Sequence, residues 1–261
     1  MRKLFYLINL FVLSGFMYNT SGQIDKSNRL EISIGGGLSL PIGSYGNKSP
    51  SKSAIYVANA PLPTVKGFDK GKSGFAKTGF DYNIEVKYKL SSCLKLLLLS
   101  GTYSNQVETA GMSDFLTNLN GYRETKVVEN SYRIFYITPG IGYYYSLNKL
   151  NFGLDLFMGY SMTEFPYYKF VLLYTTVDPP IIFAHDGPEP NLNAFTLGSS
   201  LSATYNLTDR FKVGVVVSYQ RANFSYHVSP RSIPGGDAVY DYTDILKVRV
   251  INTGVMLGFS F

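Results

Sequence analysis

Cysteine, histidine and tryptophan are the scarce residues: the 261-residue chain holds one Cys, two His and no Trp. A lone Cys93 cannot form an internal disulfide, which excludes the disulfide-scaffold class. It does not follow the N-terminal leader either, so it is not a lipid-anchor cysteine. With His185 and His227 as the only imidazoles, a transition-metal site lacks most of its usual ligands. His185-Asp186 is too little to build one, and no metal or other cofactor is expected. Long apolar runs are also missing after residue 22, where nothing approaches the ~20 residues that a membrane-spanning helix needs.

The first residues set the compartment. Arg2 and Lys3 precede a largely apolar stretch, residues 4–18, which gives way to Asn19-Thr-Ser-Gly22. That is the layout of a secretory signal peptide, and the apolar stretch is shorter than the ~20 residues of a retained anchor. Cleavage after Gly22 is expected, with residues 1–22 as signal peptide and 23–261 as one domain. The formal charge of +6 falls to +4 when Arg2 and Lys3 leave with the leader. An exported chain so mildly basic is not expected to bind nucleic acid.

What the chain does have is 22 Tyr, 18 Phe and 25 Gly at a mean hydropathy near zero. A membrane barrel has this balance, because only one face of each strand is apolar. Alternation with period two recurs over about ten residues at a time. In segment 150–162, Leu150, Phe152, Leu154, Leu156, Met158, Tyr160 and Met162 oppose Asn151, Gly153, Asp155, Gly159 and Ser161, with Phe157 the exception. Segments 30–40, 78–90, 132–147, 195–207, 211–221 and 251–261 follow the same rule. Segment 94–104 makes an eighth strand, but its leucine-rich run hides which residues face which way.

Three links are tight: Ser91-Ser-Cys93, Asn148-Lys149 and Thr208-Asp-Arg210. The four between them are long: residues 41–77, 105–131, 163–194 and 222–244. Short periplasmic turns alternating with long outer loops are how outer-membrane barrels are built, and an even strand count leaves both ends in the periplasm. A soluble up-and-down barrel of the lipocalin kind shows the same alternation with the facing inverted. Glycine and small residues opposite the apolar stripe, and aromatics gathered at segment ends, favour the membrane.

The last strand, Val255-Met-Leu-Gly-Phe-Ser-Phe261, resembles the C-terminal signal by which barrel proteins are recognised for outer-membrane assembly. That resemblance implies the barrel-assembly machinery as a partner. Gly35-Gly-Gly-Leu-Ser-Leu-Pro-Ile-Gly43 and the turn Leu207-Thr-Asp-Arg-Phe211 resemble the outer-membrane β-barrel domain family, including small eight-stranded barrels of Bacteroidetes-type bacteria. The resemblance implies an all-β, eight-stranded antiparallel transmembrane barrel in the outer membrane, in contact with its lipid and lipopolysaccharide. The family holds many functions, so it implies a fold more than an activity.

An eight-stranded barrel is only wide enough for side chains to fill. Glu31, Asp81, Glu85, Lys87, Asp155 and Lys212 are therefore expected to pair inside a plugged lumen; a narrow pore is the alternative. Lys48, Lys52, Lys66, Lys70, Lys72 and Lys77 make the first loop basic, suited to phosphorylated glycolipid. Loop 163–194 carries Phe170-Val-Leu-Leu-Tyr174 and Ile181-Ile-Phe-Ala184 around Asp178-Pro-Pro180. A hairpin continuing strands five and six and packed on other loops is the simpler reading, and a protein-partner surface the other.

One constellation points to catalysis. His227, Ser229 and Asp241 hold the residue types of acyl-ester hydrolysis. The His-x-Ser pair with a later acid is similar to that of outer-membrane lipid A deacylases. It departs from them in having Asp for Glu and the long segment 230–237 between, and chance placement is the simpler reading. Gly35-Gly-Gly37 lacks the strand–turn–helix setting of a phosphate loop and reads as lumen-facing or close-packed strand. The expectation is a non-enzymatic envelope protein acting through its loops in binding, envelope integrity or assembly.

Overall fold

The computed structural model describes residues 29–56, 65–119, 124–164, 168–172, 181–185, 191–228 and 242–261. The leader, residues 1–22, lies outside them. Eight long strands make the barrel: β1 (Leu30–Pro41), β2 (Gly79–Lys89), β3 (Leu94–Asn105), β4 (Tyr132–Leu147), β5 (Leu150–Thr163), β6 (Leu192–Asn206), β7 (Phe211–Val228) and β8 (Tyr242–Ser260). Each pairs antiparallel with its sequence neighbours, and β1 pairs with β8, from Glu31↔Ser260 to Pro41↔Val250, to close the ring. Closure leaves no strand edge unpaired, which is the condition for crossing lipid with strands.

Residue parity sets the facing. On β5, Leu150, Phe152, Leu154, Leu156, Met158 and Tyr160 point outward and are exposed, while Gly153, Asp155, Phe157, Gly159 and Ser161 point inward. The apolar stripe therefore faces out, opposite to a lipocalin. On β3 the hidden facing resolves: Leu97, Leu99, Tyr103 and Asn105 are buried inside, and Leu96 is exposed outside. Aromatics ring both borders of the belt, with Tyr143, Tyr145, Phe152, Phe211 and Phe259 at the turn end and Phe80, Tyr82, Phe135, Tyr160 and Phe195 at the loop end. Such girdles belong at membrane interfaces.

Glycines make room inside. Phe157, the inward exception, sits level with Gly140 on one neighbour and Gly198 on the other. A Cβ on either glycine would collide with it. Gly37 lies opposite Gly254, where a Cβ would overlap the Thr253 carbonyl, so the triple-glycine segment is close-packed strand. At the turn end, Asn148 takes a φ of +54°, as a two-residue hairpin turn requires. Leu90 and Ser91 N–H groups both reach the Leu94 carbonyl across the Ser91–Cys93 turn, at 2.9 and 3.1 Å.

Two expectations change. Strands β7 and β8 pair further than the sequence pattern suggests, up to Val228↔Tyr242, so the fourth long link shrinks to residues 229–241. Above the lipid, outward residues turn polar (Arg221, Asn223, Lys247, Arg249) while inward ones turn apolar (Ala222, Phe224, Leu246, Val248). The alternation continues with its polarity reversed, which hid it. The third loop does form a hairpin, Tyr168–Leu172 with Ile181–His185, around residues 173–180. It is not an extension of β5 and β6, however; it pairs with Thr125–Glu129 of the second loop in a separate three-stranded sheet.

Candidate functional site

The barrel has two built interiors, one polar and one apolar, stacked along its axis. At the turn end Glu31 accepts from Lys95 Nζ at 2.8 Å and also pairs with Lys212. Above it Lys87 lies 2.5 Å from Glu85 and 3.6 Å from Asp155. Asp155 also accepts hydrogen bonds from the Tyr144 hydroxyl and from Ser200 Oγ, the latter at 2.9 Å. The Tyr144 ring spans this layer, with the Lys95 and Lys87 ammonium groups 4.4 and 4.9 Å from its centroid. Gly142 and Gly153 exist at their positions because a Cβ there would meet that ring, at 2.6 and 2.5 Å.

A third layer follows, where Asp81 accepts from Tyr136 at 3.1 Å and from Asn83 Nδ2 at 2.8 Å. All six charged residues expected inside are inside, each nearly fully buried. Each has a charged or hydrogen-bonding partner, as an interior charge requires. Lys95 is the member that sequence reasoning missed, because its segment hid its facing.

The loop end is closed differently. Tyr45, Phe68, Phe75, Met112 and Leu116 from the first two loops pack with Tyr132, Ile134, Phe224, Leu246 and Val248 from the strands in one buried cluster. Polar ties fix it: Tyr132 donates to the Gly74 carbonyl at 2.8 Å, and Asn105 Nδ2 holds the Ser39 and Lys77 carbonyls at 3.1 and 2.9 Å. Helix Ala110–Leu119 covers one edge of the outer sheet, where Ser113 Oγ and Thr117 Oγ1 accept from the Val127 and Thr125 N–H groups at 2.9 Å each.

Within this cap an ion pair is sealed from water. Lys70 Nζ donates to both carboxylate oxygens of Glu129, at 2.7 and 2.8 Å, and both side chains are 0% exposed. Burial pushes the Glu129 carboxyl above its ordinary value, against the pull of Lys70. The Lys70 N–H donates to Asp244, which also accepts from Tyr226, so the pair is tied to β7 and β8. This corrects the reading of Lys70 as part of a basic lipid-facing surface and weakens it for two of its neighbours. Lys70 is interior, Lys77 pairs with Glu108 at 2.9 Å, and Lys72 pairs with Asp69 at 3.2 Å. Three of the six lysines thus meet acids of the protein itself.

The catalytic candidates are not brought together by what is described. His227 lies on β7 with its backbone opposite Thr243, while Ser229 and Asp241 lie outside the described residues. His185 pairs through its backbone with Tyr168, and Asp186 also lies outside. Among the described residues no group of three or more His, Cys, Asp or Glu could hold a metal ion.

No protein-family model and no curated protein sequence matches the chain. Among solved structures it is similar to Neisserial surface protein A, at 9% identity over 89% of this chain and 97% of that one, with a TM-score of 0.42. It is also similar to the outer membrane protein OprG of Pseudomonas aeruginosa, at 12% identity over 91% and 99%, with a TM-score of 0.44. Ail, the attachment invasion locus protein of Yersinia pestis, matches at 11% identity over 90% and 100%, with a TM-score of 0.39. These likenesses are of fold. With its closed ring, outward apolar belt and paired aromatic girdles, the chain is a small eight-stranded β-barrel of the bacterial outer membrane.

Proposed function

We propose that the chain is exported by its leader, residues 1–22, and inserted by the barrel-assembly machinery through its C-terminal strand. There it acts as a non-enzymatic protein through its outer surface, in binding, envelope integrity or assembly with an envelope complex. The observation that carries this reading is the filling of the lumen, by an ion-pair network below and an apolar cap above. Folded polypeptide above the membrane, rather than a water path through it, is what the chain invests in. The third loop, residues 163–194, is the proposed protein-partner surface, and outer-membrane glycolipid the proposed lipid contact.

Planar-bilayer recording on the purified full chain tests the first part, with silence expected and steady unitary conductance counting for a pore. Mass spectrometry of lipid A from cells making the wild type or His227→Ala tests the absence of acyl hydrolysis. Identical acylation in both, and in cells without the protein, is expected; an acyl chain lost only with the wild type would make the chain a hydrolase.

A further inference from the structure

Four outward side chains on one patch of wall stand out by their charge. Arg221 of β7 lies directly opposite Arg249 of β8, and two residues further up Asn223 lies opposite Lys247. All four are exposed and share the outer face, since Ala222, Phe224 and Val248 between them are buried. Directly opposed residues have Cβ atoms about 5 Å apart, and alternate residues of a strand are about 7 Å apart. The four therefore form a small rectangle of three cations and one amide. Like charges opposite each other destabilise a strand pair. Among the described residues none of these three cations has a carboxylate partner; the ion pairs belong to other lysines.

Height decides what meets them. Phe211 and Phe259 are paired at the periplasmic border, and Arg221 and Arg249 lie ten residues above them on the same two strands. Ten residues span about 33 Å of strand, or about 25 Å along the membrane normal at a tilt of about 40°, which is the height of the apolar belt. Below the cations the wall is apolar, with Val217, Val215 and Val255 exposed, and Leu197 is exposed opposite Arg221 itself. The cations thus stand at the headgroup level of the outer leaflet. Here the first loop turns inward: the Ile42 N–H bonds the Arg249 carbonyl at 3.0 Å, and Gly43 turns with a φ of +60°. A Cβ on Gly43 would lie 3.6 Å from Arg249 Cδ and Nη1, so the guanidinium runs along the bare backbone of that turn.

We propose that Arg221, Lys247 and Arg249, with Asn223, form a binding site for the phosphate groups of an outer-leaflet phosphorylated glycolipid. Guanidinium groups bind phosphate oxygens in pairs, and an ammonium beside them adds a point charge. The ligand supplies the negative charge that the described residues do not, and its acyl chains lie on the apolar wall beneath. The site rests on the proposed lipid contact above and gives it a place, on the barrel wall rather than in the lysine-rich first loop.

The test compares the full chain with the Arg221→Gln/Lys247→Gln/Arg249→Gln variant in mixed micelles. Both are titrated with bisphosphorylated lipid A, with the same lipid A after removal of its phosphates, and with inorganic phosphate as competitor. The wild type is expected to bind the phosphorylated lipid about tenfold or more tightly than the variant. Both should bind the dephosphorylated lipid equally weakly, inorganic phosphate should not displace the lipid, and Lys48→Gln/Lys52→Gln should bind as the wild type does. Equal affinities of wild type and triple variant overturn the site, as does indifference to the lipid phosphates. Displacement by inorganic phosphate would assign a free anion instead and also overturn it. Heat-dependent gel migration and outer-membrane fractionation of each variant show that it assembles. A correctly inserted triple variant with unchanged lipid binding refutes this site alone, whereas a wild type with no affinity for either lipid refutes the proposed lipid contact itself.

Discussion

Replacing Lys70 with Met is expected to open the outer cap while leaving the barrel closed. The ammonium sits within 2.8 Å of both Glu129 oxygens, with neither side chain exposed to water. Without it the carboxylate keeps its burial and loses its counter-charge, which costs about 3–5 kcal/mol. The loss should appear locally, because the barrel strands below are held by their own ladders and by the lumen network. Hydrogen exchange of the purified full chain, read by mass spectrometry, resolves the two parts. Peptides covering Lys70 to Ala76 and Thr125 to Glu129 should exchange about two to four orders of magnitude faster, while those of β1 and β5 should not change. The double variant Lys70→Met/Glu129→Leu should recover most of the protection, because an apolar pair avoids desolvating charges. Unchanged cap exchange in the single variant would refute the role of the pair. A double variant no better than the single would show that unpaired charge was not the cause.

The other predictions concern pH and the lumen. Glu129 is held above its ordinary value, so its folded form binds a proton more readily than its unfolded one. Its contribution to cap stability is present below the unfolded value of about 4.3 and is lost as pH rises through the folded one. Acidifying from neutral to about pH 5 should therefore not loosen Thr125 to Glu129, once exchange rates are corrected for their intrinsic pH dependence; loosening there contradicts the assignment. Glu108 runs the other way, held low by its hydrogen bond to Lys77, so its contribution fades only as pH falls through the acid carboxylate range. In the lumen, Lys87→Met leaves Glu85 and Asp155 without the cation between them and should cost about 3–5 kcal/mol, read as a lower urea midpoint in lipid vesicles. Gly142→Val drives a side chain into the Tyr144 ring and should cost about 1–3 kcal/mol or more, whereas Gly36→Ala, whose Cβ would first meet Tyr82 at 3.4 Å, should be nearly neutral.

The barrel was legible in the sequence because lipid imposes a simple rule on every second residue. Segments such as 150–162 carry that rule in full, and the lumen charges followed from it: Asp155 and Lys212 had to be inward because their neighbours had to be outward. The rule hides a strand when both parities are leucine, as at Leu94 to Leu99, and so Lys95 escaped notice beside Glu31. It also inverts above the membrane, where Phe224 and Leu246 point in while Asn223 and Lys247 point out. Hence the upper halves of β7 and β8 read as loop.

The cap was illegible for a different reason. Tyr45, Phe68 and Phe75 are single apolar residues in short pieces with no period to connect them, and the one helical spacing, Met112, Phe115 and Leu116, is too brief to mark its partners. Lys70 lies in a lysine-rich stretch and reads as surface, and nothing local marks Glu129, about sixty residues on, as its partner. Only the fold brings them together. The outward cations were legible as charges but not as a site, because their grouping depends on the β7–β8 register.

Cys93, the one cysteine, tests the orientation on which the whole account depends. It lies in the turn between β2 and β3, at the end of the barrel opposite the cap. A polymer-linked maleimide too large for porins, added to intact cells, should leave Cys93 unlabelled, and should label it once the outer membrane is permeabilised. In a Cys93→Ser background, Lys48→Cys in the first loop should be labelled on intact cells. Labelling of Cys93 from outside, with Lys48→Cys silent, would invert the barrel and contradict the account.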